Sequence, residues 1–237
     1  KKRIQQLRKK QDQRLKQLRL ENELRLTQQN ALKAQMNPHF LFNVLNSIKG
    51  YIYENDKKNA AKYLSDFSNL VRKVLEMSSK PQVTLKEELD VLELYIQLEA
   101  MLMHTDFTYE IQVEANVDVT GIRIPALLIQ PYVENAFKHG LRHKQGPKLL
   151  RLNCAFDEQE GILSIRITDN GIGRKASQVI NEQHRSNHES FATSAMEKRL
   201  ALLNSDRPDL VGVEILDLTG DSTGDGTGTE VIIRIHI

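Results

Sequence analysis

The spacing of apolar residues changes near Phe107, and this change limits the possible folds more than any other feature of the chain. Before Phe107, apolar residues recur every three or four positions, which is typical of amphipathic helices. After it, they alternate with polar residues, which is typical of strands that bury one face. The sequence therefore predicts an α+β protein, in which a helical N-terminal part precedes an α/β sandwich.

Residues 1–36 contain neither Pro nor Gly and are rich in Lys, Arg, Gln, Glu and Leu, so they are predicted to form one long helix. Apolar residues recur in this helix with an offset of eleven positions, at Ile4, Leu7, Leu15, Leu18 and Leu26. Such an offset favours a nearly straight or right-handed coiled coil. The pattern fits a dimerising signalling helix and a solvated charged helix equally well, and both alternatives stay open.

The 237-residue chain is 40% apolar and 27% charged with a formal net charge of +2, which is ordinary for a soluble globular protein and gives no case for nucleic-acid binding. Cys154 is the only cysteine, which excludes an internal disulfide framework. No apolar run approaches the roughly 20 residues that span a bilayer. The basic first 20 residues, in a chain that begins with Lys, suggest a fragment that follows an unseen membrane span on its cytoplasmic side.

One histidine is placed where helix chemistry leaves it exposed. Asn37 is predicted to cap a helix whose first residue is Pro38, so that His39 lies in the first turn. At helical spacing, His39 shares a polar stripe with Asn43. The predicted apolar stripe on the other side comprises Leu41, Val44, Leu45, Ile48 and Ile52. By itself, this pattern fits an ordinary surface histidine as well as a functional one.

A second helix is predicted from about Lys57 to Met77, after a turn at residues 53–56. Its apolar side comprises Ala60, Leu64, Phe67, Val71 and Val74. Two helices with one apolar stripe each form an antiparallel hairpin that buries little surface by itself. Pairing with a second copy into a dimeric four-helix bundle is therefore expected.

A third helix is predicted to open with the capping box Thr84 to Glu87 and to continue to about Met103. It connects two domains, and a boundary near residue 105 follows. The predicted organisation is a coiled-coil helix over 1–36, a helical hairpin with its connecting helix over 37–105, and the α/β domain over 106–237.

The α/β domain is predicted to begin with a strand over Phe107–Val113. Pro125 is then expected to open a helix that carries Asn135 and ends near Gly140. Two strands follow, and their inward-facing residues are predicted to be Leu150, Leu152, Cys154 and Phe156 on the first and Leu163, Ile165 and Ile167 on the second.

Asp169 is in phase with the apolar residues of the second of these strands, so its carboxylate is predicted to point inward from the strand end. The residue either begins an ordinary Asp-Asn-Gly turn or meets an exocyclic amino group such as that of adenine. Residues 174–190 are polar and are predicted to form a mobile loop. A helix opened by a capping box at Ser194 and Glu197 follows.

Two final strands are predicted over 211–216 and 230–237, joined by the glycine-rich segment 220–229. Three motifs then occur together: Asn-Pro-His-Phe-Leu-Phe-Asn at 37–43, Gln-Pro-Tyr-Val-Glu-Asn-Ala at 130–136, and Asp-Asn-Gly-Ile-Gly at 169–173. In this combination the chain resembles the sensor histidine kinases of the LytS/YehU type, over roughly residues 35–237. The ATP-binding domain of that family has the GHKL fold, which gyrase, Hsp90 and MutL share.

The resemblance implies a protein histidine kinase, which is an ATP-dependent phosphotransferase of a two-component system. His39 would be the phosphoacceptor, and Asn43, four residues on, would orient its ring. Asn135 would be a Mg²⁺ ligand, and Asp169 would be the carboxylate that reads adenine. The other ATP-binding residues implied by the resemblance are Lys138, His139, Gly171, Gly173, Gly228 and Thr229.

The resemblance also implies ATP and Mg²⁺ as cofactors and a homodimer as the assembly. The implied partners are the receiver domain of a response regulator and, in the full-length protein, an upstream membrane or sensor segment. No nucleic acid is implied. The chain would be the cytoplasmic domain of a membrane-anchored bacterial protein.

The chain departs from the family pattern at three places. Residues 190–195 contain no glycine where many relatives have Gly-X-Gly followed by Asn, and Leu102 stands where relatives often carry Arg. Gln130 stands where hydrolytic GHKL enzymes place a catalytic Glu, and an amide cannot accept a proton from water, which favours transfer to histidine over hydrolysis. The first departure leaves an alternative open: a GHKL module that binds nucleotide as a switch and has no kinase activity.

Overall fold

The computed structural model describes residues 38–103, 106–183, 189–205, 210–218 and 227–237. The chain divides into two compact units, Lys1–Asp56 and Lys57–Ile237. The coiled coil predicted over 1–36 lies outside the described residues. The domain boundaries predicted near residues 36 and 105 stay predictions. Within the described ranges, no helix combines the length and the apolar character that crossing a membrane requires.

Helix α1 (Pro38–Tyr53) forms the described part of the first unit, and it begins at the predicted proline. Its buried side chains are Phe40, Val44 and Ile48, which lie four residues apart and therefore stack on one face. Of the predicted apolar stripe, Val44 and Ile48 are buried, whereas Leu45 and Ile52 are exposed in the single chain. The helix carries two overlapping apolar stripes, and periodicity alone does not decide which of them is covered.

The second unit begins with helices α2 (Lys57–Ser78) and α3 (Leu85–Met103), which contact each other. The predicted capping box of α3 is confirmed: the Thr84 N–H donates to Glu87 Oε2 at 2.8 Å, and the Glu87 N–H donates to Thr84 Oγ1 at 3.1 Å. The buried residues of α2 are Ala60, Leu70, Val74 and Met77. Leu64, on the predicted apolar side of α2, is exposed in the single chain, where it is available for the predicted pairing with a second copy.

Two short strands, β1 (Gln82–Thr84) and β3 (Arg123–Pro125), pair antiparallel beside α3. Five longer strands form the main sheet: β2 (Phe107–Val113), β4 (Lys148–Asp157), β5 (Ile162–Asp169), β6 (Val211–Leu218) and β7 (Gly228–His236). Their order across the sheet is β2-β4-β5-β7-β6. Strands β2 and β4 are parallel, and all other neighbours are antiparallel. The predicted alternation along β4 and β5 is confirmed at its buried positions, although Phe156 is only half-buried.

The core of the second unit lies between the sheet and the helices. Phe137 is fully buried there, with its ring 5.3 Å from that of Phe107 on β2 and 6.0 Å from that of Tyr95 on α3. These three aromatic rings connect the sheet to α3 through the segment that carries the second motif. That segment is therefore fixed by packing on both of its sides.

Pro125 does not open a helix, contrary to the prediction. It ends β3, and helix α4 (Gln130–Asn135) begins five residues later, with Pro131 in its first turn. Leu127 between them has φ +56°, which interrupts any continuous right-handed helix from Pro125. After α4 the chain continues as a π-helical turn over Ala136–Gly140 and a 3₁₀ turn over Leu141–His143. Gly140 therefore ends the π turn and not the whole helical segment.

The loop predicted over 174–190 is also wrong, because helix α5 (Gly173–Gln183) occupies most of it. Its sequence is polar, but Lys, Ala, Gln and Glu are good helix formers, and one side of the helix buries Ser177. Helix α6 (Glu189–Leu203) begins earlier than predicted. Ser194 is therefore inside α6 and does not cap it.

Candidate functional site

The carboxylate of Asp169 lies at the end of β5 and is 96% buried, with only 4% of the residue exposed. It points inward, as the alternation of the strand predicts, because it follows Leu163, Ile165 and Ile167 on the same face. Its Oδ1 accepts a hydrogen bond from the Gly171 N–H at 2.8 Å. Burial raises the pKa of Asp169 to about 6, against the opposing effects of the backbone N–H groups of Gly171 and Thr229 and the charge of Lys144.

Three glycines surround Asp169 and pack against it and against one another. A Cβ atom on Gly140 would lie 2.6 Å from Asp169 Oδ1, and a Cβ atom on Gly171 would overlap the backbone of Gly140. A Cβ atom on Gly228 would overlap the backbone oxygen of Asp169. Any side chain at these positions would push the second motif, the end of β5 and the start of β7 apart. The glycines therefore bring three chain segments together around one buried carboxylate.

Gly173 and Thr229 complete this part of the site. Gly173 has φ +76°, a conformation that favours glycine, and a Cβ atom there would meet its nearest neighbour, the Gly228 oxygen, at an ordinary 3.7 Å. Thr229 is the register partner of Asp169 across β5 and β7. The predicted residues Asp169, Gly171, Gly173, Gly228 and Thr229 are thus brought together at one end of the sheet.

Asn135, Lys138 and His139 lie on the helical segment that leads to Gly140. Asn135 ends α4, and both Asn135 and Lys138 are exposed, three positions apart on one face. His139 is half-buried, and burial together with the nearby charges of Lys138 and His143 lowers its pKa to about 4. The imidazole of His139 is therefore neutral near pH 7, so it adds no positive charge to the site.

The two predicted residues of the first motif lie on α1, in the first compact unit. His39 falls in the first turn of α1, as predicted, and its side chain lies outside the described part of the structure. Asn43 follows one turn later and is half-buried. The roles of both residues stay predictions.

Glu134 is a half-buried carboxylate beside Asn135 to which the sequence motifs alone assign no role. Its Oε1 accepts a hydrogen bond from Gln130 Nε2 at 2.7 Å, and burial raises its pKa to about 7. Gln130 Oε1 is buried without a hydrogen-bond partner in the structure described. The helix that carries Asn135 therefore contains one carboxylate, that of Glu134, although position 130 is occupied by the amide of Gln130.

Glu99 of α3 is a buried carboxylate. It binds Arg142, which lies beyond Gly140 on the same helical segment. Arg142 Nη2 donates to both of its oxygens, at 3.0 and 2.8 Å, and the Tyr95 hydroxyl donates to Oε1 at 2.8 Å. The sequence does contain a signal for this role, because Glu99 falls in phase with the apolar residues Leu92 and Ile96 of α3. An acidic residue at a core position of a helix needs a buried partner.

The residues of the site suit ATP and Mg²⁺ chemically. A buried carboxylate that is packed among glycines is, when ionised, a pure acceptor for an amino group. The Asn135 amide supplies the kind of oxygen ligand that Mg²⁺ prefers, and this metal uses few protein ligands when phosphates are present. Among the residues described, no cluster of three or more His, Cys, Asp or Glu side chains forms a separate metal site.

Comparisons with known proteins agree with these features. The family model described as histidine kinase matches residues 27–107. The chain is 33% identical over 143 residues to the sensor protein LytS of Staphylococcus haemolyticus, which covers 60% of this chain and 24% of that protein. It is 31% identical to the sensor histidine kinase YesM of Bacillus subtilis, in a match that covers 62% of this chain and 25% of that protein. It is 34% identical to the sensor histidine kinase YpdA of Escherichia coli, in a match that covers 61% of this chain and 25% of that protein.

Over the matched residues the chain is related to the LytS type of sensor histidine kinases, and its second unit is an α/β domain with a mixed five-stranded sheet. The family prediction and the fold prediction are both confirmed. The matched stretch spans about a quarter of the length of these curated relatives.

Proposed function

We propose that the chain is the kinase core of a two-component sensor, in which His39 takes a phosphoryl group from ATP. The observation that carries this proposal is the buried carboxylate of Asp169, which three closely packed glycines hold at the end of β5. A buried hydrogen-bond acceptor of this kind suits an adenine amino group. The kinship with sensor histidine kinases supports the same conclusion.

Bound ATP supplies the phosphoryl group, and bound Mg²⁺ neutralises part of the phosphate charge. Asp169 accepts a hydrogen bond from the adenine amino group. Asn135 offers its amide oxygen to the metal, and its exposure at the end of α4 supports this role. Lys138, on the same exposed face, offers positive charge to the phosphates. His139 contributes a hydrogen bond and no charge, because its pKa is about 4.

A neutral imidazole nitrogen of His39 acts as the nucleophile. A bond forms between this nitrogen and the γ-phosphorus while the bond from that phosphorus to the oxygen bridging to ADP breaks. Asn43 lies one helical turn further along α1, and this spacing supports a role in orienting the ring. The phosphoryl group then passes to an aspartate on the receiver domain of a response regulator.

The active assembly is a homodimer in this proposal. Large apolar side chains are exposed on α1 at Phe42 and Ile52, and on α2 at Leu64 and Leu75. Contact with a second copy would remove these side chains from water. The full-length protein would place an upstream membrane or sensor segment before the chain, with the kinase core on the cytoplasmic side.

The alternative is a nucleotide-binding switch without kinase activity, and one observation favours it. Residues 190–195 lie within α6, so the segment in which many relatives have a Gly-X-Gly sequence is helical here. A helix and a flexible glycine loop present their backbone N–H groups to phosphate in different ways. The two functions differ in whether the protein itself becomes labelled.

The direct test is incubation of the chain with γ-labelled ATP and Mg²⁺, followed by acid treatment. We expect an acid-labile label on the wild-type protein and none on His39→Ala, with nucleotide affinity unchanged in the variant. His236→Ala is the matched control, because it removes another histidine, at the end of β7, and should leave the label intact. Acid-labile label on His39→Ala would rule out His39 as the acceptor, and nucleotide binding without any label would favour the switch.

A further inference from the structure

A strained residue lies directly before the helix that carries Asn135. Leu127 has φ +56°, a left-handed conformation that is unfavourable for a bulky residue. Its side chain is buried, so the strain is not at a freely adjustable surface turn. Such a conformation persists only where the surrounding structure holds it in place.

Both polar backbone groups of Leu127 are held by charged side chains. The Leu127 N–H donates to Glu88 Oε2 at 2.7 Å, and the Leu127 carbonyl accepts from Arg199 Nη1 at 2.9 Å. Arg199 Nη2 also donates to the Ala126 carbonyl. We name Glu88, Leu127 and Arg199 the Leu127 clamp. It joins α3, the segment before α4, and α6.

The clamp also determines how α4 begins. Glu88 Oε1 accepts from the Ile129 N–H at 3.0 Å, and Ile129 is the residue before the first turn of α4. Ile129 provides no side-chain cap to the helix. The carboxylate of Glu88, which belongs to α3, therefore accepts a hydrogen bond from a backbone N–H at the start of α4, as the side chain of a local capping residue does in other helices.

The stability of the fold does not require a charge at this place. Glu88 is only 1% exposed and its removal from water is costly, which raises its pKa to about 7. What Glu88 and Arg199 do provide is a fixed position for a strained backbone, eight residues before Asn135 at the end of α4.

We propose that Glu88 and Arg199 are positioning residues for phosphoryl transfer, which hold Leu127 so that α4 presents Asn135 to the metal. This inference rests on the proposed function. Metal chemistry is sensitive to such placement, because a displacement of about 1 Å can cost on the order of a hundredfold in rate. The adenine carboxylate Asp169 lies on a different element, β5, and does not depend on the clamp in the same way.

The test compares nucleotide affinity with Mg²⁺ and with EDTA, using a fluorescent ATP analogue, for wild type, Glu88→Gln and Arg199→Lys. The ratio of the two affinities measures the contribution of the metal. We expect both variants to lower this ratio by about tenfold or more while leaving the affinity in EDTA within about twofold. Glu87→Gln is the control, because it alters the neighbouring residue of α3, whose partners are Thr84 and Lys80.

The melting temperature is measured alongside, since a purely structural role would lower it without changing the affinity ratio. Folded variants with an unchanged ratio overturn the clamp proposal and leave the proposed function standing. If Glu88→Gln does not fold, Arg199→Lys decides alone, because lysine keeps the charge and loses the two-pronged contact. Wild-type protein that binds no nucleotide in either buffer overturns both proposals.

Discussion

Replacement of Asp169 by Asn tests the nucleotide site at its most specific contact. The Asn side chain has nearly the same shape but only one acceptor oxygen. In the native protein, Oδ1 already accepts from the Gly171 N–H at 2.8 Å. The single amide oxygen of the Asn side chain must accept from this N–H group. The amide NH₂ then takes the place of the second carboxylate oxygen and faces any amino group that this oxygen would have accepted from. A donor would then face a donor.

The expected loss is that of one hydrogen bond to a charged acceptor, about 1.5–3 kcal/mol. This corresponds to a weakening of ATP affinity by roughly tenfold to a hundredfold at 25 °C. Isothermal titration with ATP measures it directly. GTP offers a carbonyl where ATP has the amino group, so its affinity should fall much less, or rise.

Stability provides an internal check on this experiment. The pKa of Asp169 is about 6 in the folded protein, above its ordinary value, so the folded state binds the proton more tightly than the unfolded state. Ionisation of Asp169 therefore costs stability as the pH rises through this range, and the cost persists at pH 7. Asp169→Asn removes it, and the variant should melt no lower than wild type at pH 7.

The pH dependence of binding should follow the same group. ATP affinity of the wild type should weaken as the pH falls through about 6, because the protonated carboxyl offers a poorer acceptor. Asp157→Asn is the matched control: that carboxylate accepts from the N–H groups of Gln159 and Glu160 in the turn at the opposite end of β4. Equal titration curves for wild type and Asp169→Asn would show that Asp169 is only a turn residue.

Three further changes test the metal, the assembly and the interior. Asn135→Ala should abolish labelling from ATP while adenosine binding persists, and an unaltered Mg²⁺ dependence would refute its role as a ligand. Leu64→Asp places a charge on an exposed apolar site, so sedimentation equilibrium should show a monomer in place of the dimer. The melting temperature of that monomer should not fall. A wild-type monomer at micromolar concentration would contradict the dimer. Arg142→Met leaves the buried Glu99 without its charged partner and should cost about 3 kcal/mol in urea unfolding, whereas Arg151→Met, at an exposed ion pair, should cost less than about 1 kcal/mol.

Local pattern was sufficient to predict several features that the structure confirms. The inward direction of Asp169 follows from the two-residue repeat of β5, and the capping box at Thr84 follows from a three-residue spacing. Both depend on contacts between residues that are close along the chain. The same holds for the start of α1 at Pro38.

Sequence pattern failed where several local structures were equally available. Pro125 and Pro131 are both able to open a helix, and the choice between them depends on the left-handed Leu127, which distant side chains hold. Helix α5 has so few apolar residues that its polar composition predicted a loop. Its position is decided by packing against the sheet and the π turn.

By itself, the sequence determined that a helical N-terminal part precedes an α/β domain, the kinship with sensor histidine kinases, and the residues that the motifs mark. Only the tertiary structure decided which glycines are needed for close packing around Asp169, because Gly140 and Gly228 make room for atoms of Asp169, and Gly171 makes room for the backbone of Gly140. It also decided the partners of Glu88, which lie 39 and 41 positions along the chain. A residue's own side chain and its near neighbours determine local conformation, whereas the partner of a buried charge is whichever distant group the folded chain places beside it.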